Sequence, residues 1–222
     1  CNKDLIEDYA VPTIQMAMKW LREVHNICIT IYPDKEKGYE AVTVANIAQA
    51  VGIKAPSLYK HFKSKQDIFE SILTELQSRY EAQASMMHIG GMDAKEDAEH
   101  YLHISADILE NMVKGLFTFF LHDEYTTRFR KMMTIEQFKN ADIATLYSKQ
   151  YFDDVINYQE VLFTNLMHQG LIKDGDARTI AFQFFTPILS LIALCDRQPE
   201  REAEAYQYLE EHVRQFNRMY GV

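Results

Sequence analysis

The stretch TVANIAQAVGIKAPSLYKHFKSK, residues 43–65, decides the fold of the N-terminal part of this chain. Its apolar spacing predicts a first short helix over 43–50, with Thr43 as the N-cap, and a second over 55–61. Gly52 breaks the chain between them. Two short helices joined by a tight turn are typical of a helix-turn-helix.

Three small or apolar positions set the geometry of this predicted motif. Ala48 is small where the first helix must approach the second closely, and Gly52 can adopt the left-handed backbone that the turn requires. Leu58 reaches back to the core. Because neither helix would be stable alone at this length, apolar contacts must hold them together. We expect these contacts from Val44, Ile47, Val51, Ile53, Leu58 and Phe62.

The polar residues of the second helix are then left to point outward. They offer donors to phosphates and base edges, and they are Lys54, Ser57, Tyr59, Lys60 and His61. Thr43 lies at the N-terminus of the first helix, and Ser64 and Lys65 at that of the third. Helix N-termini present free N–H groups that suit phosphate.

The charge distribution fits a polyanionic partner at this end of the chain. Residues 34–65 hold six Lys against three acidic residues, a net charge of +3, although the chain of 222 residues carries −9 overall. A short basic block on an acidic body indicates one face built for a polyanion.

The rest of the chain reads as helix throughout, because two-residue alternation is rare and Gly and Pro are few. Ser64 is the expected cap of a third helix, with Asp67 at its third position, that runs to about residue 87. Later helices are predicted over 94–121, 125–138, 141–148, 151–169, 176–195 and 200–219. We therefore expect an all-α protein: a three-helix head over 1–66 and a larger antiparallel helical domain for ligand sensing and dimerisation over 67–222.

At this point the sequence resembles the DNA-binding head of the TetR family of transcriptional regulators. The matching positions, in register over Gly38 to Phe69, are Gly38-Tyr39, Thr43-Val44, Ile47-Ala48, Gly52-Ile53, Ser57-Leu58-Tyr59, His61-Phe62, Lys65 and Ile68-Phe69. The remaining chain resembles the family in architecture alone. The resemblance implies a dimeric repressor that binds double-stranded DNA at a palindromic operator and is released by a small-molecule effector.

Roles for individual residues follow from the resemblance. It implies phosphate contacts from Thr43, Tyr59, His61 and Lys65, and base-edge or nearby contacts from Lys54, Ala55 and Ser57. Ala55 offers only a methyl group, which can touch a thymine methyl but donates no hydrogen bond.

The N-terminal 33 residues depart from the family pattern. Residues 12–25 look like an amphipathic helix, whereas 26–32 look like a strand that stops at Pro33-Asp34, where the family's first helix should have its last apolar pair. Three explanations stay open: an early end of that helix, an unusual extension, or a different reading of the gene.

The sensor domain is rich in aromatic and Met residues, which pack in cores or line an apolar cavity between helices. We expect a subset to bind the effector, with the tyrosines adding polar handles. The candidates are Met112, Phe117, Phe120, Tyr147, Tyr151, Tyr158 and Phe184.

The last two helices carry apolar stripes that suit a two-fold, four-helix interface, although stripes of this kind also pack within one chain. The expected interface residues are Phe182, Phe185, Leu189 and Ile192 on one helix, and Tyr206, Leu209, Val213 and Phe216 on the other.

Other classes are less favoured. Glu96, His100, His103 and Asp107 share one helix face, but a single helix supplies few metal ligands and a solvated face is the simpler interpretation. Since no P-loop, GxGxxG, GxSxG or HExxH motif occurs, we expect no enzyme, cofactor or metal. A helical interaction module with impaired DNA binding stays as the alternative.

The expected location is the cytoplasm. The three cysteines form no CxxC pair, no signal peptide is visible, and the apolar run 180–195 is too short and too polar to cross a membrane. That run is predicted to be a buried helix.

Overall fold

The computed structural model describes residues 43–50, 52–86, 93–101 and 105–222, and every structural statement below concerns these residues. The predictions for residues 1–42, including the helix over 12–25, the strand-like run over 26–32 and the match at Gly38-Tyr39, lie outside them.

Three helices form the described part of the head: α1 (Val44–Ala50), α2 (Ala55–Tyr59) and α3 (Lys65–Met86). They enclose a small head core, whose buried members are Val44, Ile47, Ala48, Leu58 and Ile68, with Ala55, Phe62 and Ile72 packed at its edge. Each large apolar side chain buried there contributes about 1.5–3 kcal/mol. The five residues of α2 are therefore held by tertiary packing rather than by helix propensity.

The larger part of the chain consists of antiparallel helices, as predicted. They are α4 (Ala94–Tyr101), α5 (Ala106–His122), α6 (Glu124–Glu136), α7 (Ala141–Ser148), α8 (Asp154–His168), α9 (Ala177–Arg197) and α10 (Glu202–Tyr220). A π-helical turn, Lys149–Asp153, joins α7 to α8, and a 3-10 turn, Pro199–Arg201, precedes α10. Within the described ranges there is no sheet, only an isolated bridge between Ile172 and Gly221.

The single helix predicted over 94–121 is wrong, because the structure has two helices there. Ser105 is extended and caps α5, its hydroxyl accepting a hydrogen bond from the backbone N–H of Ile108 at 3.3 Å. A capping serine therefore begins a new helix at this point without any Gly or Pro before it.

The head-carrying helix α3 belongs to two cores at once. Its Ile68 packs in the head core, whereas its Phe69 and Leu76 pack with α6 and α7. We call this second cluster the junction core; its buried members are Phe69, Leu76, Phe129, Met132, Met133, Ile143 and Tyr151. A boundary at residue 66 therefore falls within a continuous helix, and any movement of α6 against α3 reaches the head.

Two further cores hold the body together. One is centred on α8 and includes side chains from α4, α9 and α10; the other joins α5 to α9 and α10. We call them the α8 core and the α5 core.

Helix α9 is long and apolar enough to cross a membrane, by length and composition alone, and it is the one described helix that meets this test. Only 22% of its apolar window is buried within the chain. The prediction of a buried helix over 180–195 therefore holds for the side chains that face the cores, and the other apolar side chains of this run are half-buried.

Candidate nucleic-acid interface

The turn between α1 and α2 is built as a helix C-cap around Gly52. The φ of Gly52 is 70°, and its N–H donates to the carbonyl of Gln49 at 3.1 Å. The N–H of Ile53 reaches back to the carbonyl of Ala48 at 2.9 Å. These paired bonds define a Schellman motif, whose left-handed residue is glycine because a Cβ there is strained. The role predicted for Gly52 is confirmed.

Helix α2 has a buried side and an exposed side. Leu58 is only 1% exposed and lies in the head core, whereas its neighbour Tyr59 is 56% exposed. The exposed polar side chains are Lys54, Ser57, Tyr59, Lys60 and His61, which we call the α2 surface. The predicted helix over 55–61 is shorter than expected, since Lys60 and His61 lie in the turn that follows residue 59.

Ala55 differs from the other predicted contacts on this helix. Its side chain is partly buried and packs against the head core. Its methyl group therefore supports the packing of α2 first, and its contact with a base edge stays a prediction.

Thr43 begins α1 through a reciprocal cap. The backbone N–H of Asn46 donates to the Thr43 hydroxyl oxygen at 3.2 Å, and the Asn46 side-chain oxygen accepts from the Thr43 N–H at 2.9 Å. The Thr43 hydroxyl also donates to that oxygen at 2.6 Å. Asn46 thus occupies the place of the Glu or Gln of a capping box, and Thr43 remains exposed at the helix N-terminus.

The start of α3 is capped as predicted. The Ser64 hydroxyl oxygen accepts from the N–H of Asp67 at 3.1 Å, and the Asp67 carboxylate accepts from the N–H of Lys63 at 2.8 Å. Lys65, the first residue of α3, is half-buried. Its proposed contact with phosphate stays a prediction.

The charged side chains of residues 43–65 are all basic. Residues 43–65 contain four Lys, one His and no Asp or Glu. Lys63 is exposed between Lys60 and Lys65, yet it was not among the predicted contacts. The sequence feature that could have identified Lys63 as a phosphate contact is its position in a lysine-rich turn. The segment therefore offers a phosphate backbone cations from α2 to the start of α3.

The seven predicted effector residues do not gather on one cavity wall. Phe117 and Phe120 pack in the α5 core, Tyr147 and Tyr151 in the junction core, and Tyr158 and Phe184 in the α8 core, while Met112 is buried on α5. Six of the seven are spread over three packed clusters, and which subset of them binds an effector stays a prediction.

One of the effector candidates, Tyr158, is hydrogen-bonded to a buried carboxylate, that of Asp97. The hydroxyl of Tyr158 donates to the carboxylate of Asp97, which is fully buried, at 2.5 Å. Burial, and then the negative charge of Asp97, raises the pKa of Tyr80 on the head-carrying helix. Burial also raises the pKa of Tyr151 well above that of an exposed tyrosine. The phenols of Tyr80 and Tyr151 therefore stay protonated at neutral pH.

Four of the eight predicted interface residues are buried within a single chain. These residues are Ile192, Leu209, Val213 and Phe216; the first, second and fourth pack in the α5 and α8 cores, and their contact with a partner stays a prediction. Tyr206 is also engaged internally, since its ring packs edge-on against Phe117 and its hydroxyl lies 2.6 Å from that of Thr118. Phe182, Phe185 and Leu189 are half-buried, and their contact with a second chain stays a prediction.

The candidate metal face lies mostly outside the described side chains, which exclude those of Glu96, His100 and His103; Asp107 is exposed. Among the side chains that are described, no group of three His, Cys, Asp or Glu residues could hold a metal ion.

In helix-turn-helix DNA-binding proteins, the second helix of the motif is anchored on a small apolar core and presents an exposed polar surface. The α2 surface and the head core of this chain have that arrangement. Residues 35–72 match the model of the bacterial regulatory proteins of the tetR family. Among curated relatives, the negative transcriptional regulator IcaR of the icaADBC biofilm operon in Staphylococcus aureus is 50% identical over 42 residues, which cover 19% of this chain and 22% of IcaR.

Two solved structures share the fold over nearly the whole chain. One is a Mesorhizobium loti protein assigned to the TetR family, with a TM-score of 0.64 and 19% identity, covering 93% of this chain and 98% of that one. The other is SmeT of Stenotrophomonas maltophilia in complex with triclosan, with a TM-score of 0.63 and 16% identity, covering 92% and 91%. The head of this chain therefore matches the tetR-family regulators in sequence, and the chain shares the fold of two solved structures named as TetR-family or SmeT proteins.

Proposed function

We propose that this protein is a dimeric, cytoplasmic repressor that binds a palindromic operator and is released by a small apolar or amphipathic ligand. The observation that carries the proposal is the two-sided α2: Leu58 is anchored in the head core while the adjacent Tyr59 is exposed beside Lys60 and His61. The names of two similar proteins, a negative regulator and an efflux-pump repressor, favour repression.

In the proposed complex, the α2 surface enters the major groove. Tyr59, His61 and Lys65 bind phosphates, as does Thr43 at the start of α1, and they position the head without reading sequence. Lys54 and Ser57, at the N-terminal end of α2, face the base edges. Lys60 and Lys63 add further phosphate contacts.

Dimerisation supplies the second head that a palindrome requires. Because most apolar side chains of α9 are only half-buried in a single chain, we propose that a second copy covers them through Phe185 and Leu189. Exposed apolar side chains on α10, Tyr208 at 56% and Met219 at 50%, extend this face. They replace the residues of α10 that proved to be internal.

The proposed effector binds between the helices of the sensor domain, near Tyr158 and Asp97. SmeT, whose fold this chain shares, has been solved in complex with triclosan. A ligand that prefers one arrangement of the junction core shifts α3 and changes the spacing of the two heads. The heads must lie about 34–36 Å apart to read two half-sites, so a shift of a few ångströms weakens binding.

The test is selection of bound duplexes from a random library by the full-length protein. We expect a palindromic consensus, and an affinity that falls steeply with salt as phosphate contacts release counterions. Tyr59→Ala and Lys65→Ala should weaken binding to all duplexes, whereas Lys54→Ala and Ser57→Ala should change the preferred bases.

Selection of no duplex would refute the proposal and favour a helical interaction module without DNA binding. Dimerisation is tested separately by light scattering: Leu189→Asp and Tyr208→Asp should give monomers, while the control Glu200→Gln should not.

A further inference from the structure

Asp123 lies at a corner where three helices meet. Its backbone N–H closes the end of α5 by donating to the carbonyl of Phe119 at 2.8 Å. Its carboxylate caps α6, because one oxygen accepts from the backbone N–H of Thr126 at 2.9 Å and from the Thr126 hydroxyl at 2.8 Å. The residue therefore fixes the angle between α5 and α6.

The other carboxylate oxygen of Asp123 holds the head-carrying helix. The Arg79 guanidinium of α3 donates to it at 3.0 Å, and the side chains are only 26% and 15% exposed. The same guanidinium lies 4.0 Å from the centre of the Tyr125 ring on α6. An ion pair combined with a cation–π contact fixes both the distance and the orientation of the Arg79 side chain.

Helix α6 continues this polar connection to the proposed pairing helix α9. Buried Arg130 of α6 binds the Asp196 carboxylate of α9 through two bonds of 2.7 and 2.8 Å. Its third bond, of 2.8 Å, goes to the carbonyl of Phe120 at the end of α5. Polar contacts therefore tie the N-terminal end of α6 to α3 and the middle of α6 to α9.

Because Arg79 lies far along α3 from the head, a small tilt of the helix at Arg79 gives a larger displacement at the head. Fourteen residues separate Arg79 from Lys65, where the head begins, which is about 21 Å of helix at about 1.5 Å per residue. A tilt of about 10° at Arg79 therefore moves the start of α3 by roughly 4 Å, the scale on which two heads lose their match to two half-sites.

We propose that the contact of Arg79 with Asp123 and Tyr125 is a latch that sets the DNA-binding inclination of the head. The latch holds α3 against the α5–α6 corner in the effector-free dimer, and its release lets the head swing away from the operator spacing. This inference rests on the proposed repressor function and names the contact through which that function is regulated.

The test compares Arg79→Gln, Asp123→Asn and the double variant on the duplex that the wild-type protein selects. Asp123→Asn keeps the cap on α6, since Asn is as good an N-cap as Asp, and removes the charge. Arg128→Gln is the matched control, because Arg128 forms an exposed ion pair with Glu124 at 2.6 Å within α6 and does not bridge to α3.

Each single latch variant should weaken operator binding by about three- to tenfold, the double variant by no more than either single one, and the control by less than about twofold. Amides of α3 near Lys65 should exchange faster in Asp123→Asn without DNA. The latch would be refuted if the single variants bound the operator as tightly as the wild type or more tightly, or if their effects added in the double variant. It would also be refuted if the variants had a lower Tm but a normal Kd for the operator. Failure of the wild type to select DNA would refute the repressor instead, and amide exchange would still decide whether the contact restrains α3.

Discussion

Leu58 and Tyr59 are adjacent in sequence but should fail in different ways when each is replaced by alanine. Leu58 is 1% exposed and fills the centre of the head core, which has only five buried members. Tyr59, about 100° further around the same five-residue helix, is 56% exposed. Replacing Leu58 removes the packing that holds α2 in the head core. Replacing Tyr59 removes a proposed contact with DNA.

The expected cost of Leu58→Ala is about 3 kcal/mol, because a buried Leu→Ala change loses transfer free energy and leaves a cavity. Since every 1.4 kcal/mol is about a tenfold change in an equilibrium constant, the folded head becomes roughly 150-fold less favoured. The sensor helices have their own cores and should stay folded. Tyr59→Ala should change stability by less than about 0.5 kcal/mol.

The assay pairs operator affinity with unfolding monitored by amide exchange of the head. Leu58→Ala should lose DNA binding together with protection of α1 and α2, while peptides from α9 and α10 stay protected. Tyr59→Ala should weaken binding with protection unchanged. If Leu58→Ala bound DNA normally, or if Tyr59→Ala unfolded the head, the assignment of the two sides of α2 would be refuted.

Three further substitutions test other parts of the structure. Asp196→Ala leaves the buried Arg130 guanidinium without its carboxylate and should cost about 3 kcal/mol, lowering the Tm by roughly 6–12 °C; Arg128→Gln, measured by the same thermal melt, should change it little. A Cβ added at Gly52 meets no atom within 4 Å, so the cost of Gly52→Ala should come from the left-handed backbone alone. We expect denaturant unfolding to show a loss of about 1 kcal/mol in the stability of the head. The hydrogen bonds from Thr179 lower the pKa of Asp176, the cap of α9. The Asp176 carboxylate therefore stabilises the fold above the ordinary Asp pKa of about 3.9 and loses this effect as the pH falls through its lowered pKa. The Tm gap between wild type and Asp176→Ala should accordingly be present at about pH 6 and shrink at about pH 3, and a gap that widens in acid would contradict the assignment.

The head could be predicted from sequence because its determinants are local. Ala48, Gly52 and Leu58 are four and six residues apart, and each has a single geometric role that the spacing reveals. The end of α2 was less predictable, since Lys60 and His61 are compatible with helix. In the structure the chain turns after Tyr59, and the carbonyl of Leu58 accepts from the N–H groups of His61 and Phe62.

The body was predicted in class but not in detail. Periodicity shows that one side of a helix is buried, not what covers it, so the stripe that includes Leu209 and Val213 could not be assigned to the chain itself or to a partner. Likewise, aromatic content could not show that Tyr151 and Tyr158 lie in different cores. The break at Ser105 was missed because a serine within an apolar run is also compatible with a continuous helix.

The central claim is that two α2 surfaces enter the major groove of one duplex. Dimethyl sulfate tests it directly, because guanine N7 lies in the major groove and adenine N3 in the minor groove. On the selected duplex, the wild-type protein should shield guanine N7 in two patches about one helical turn apart and leave adenine N3 reactive there. Shielding of adenine N3 alone, a single protected patch, or guanine N7 that reacts freely throughout the bound site would contradict the claim.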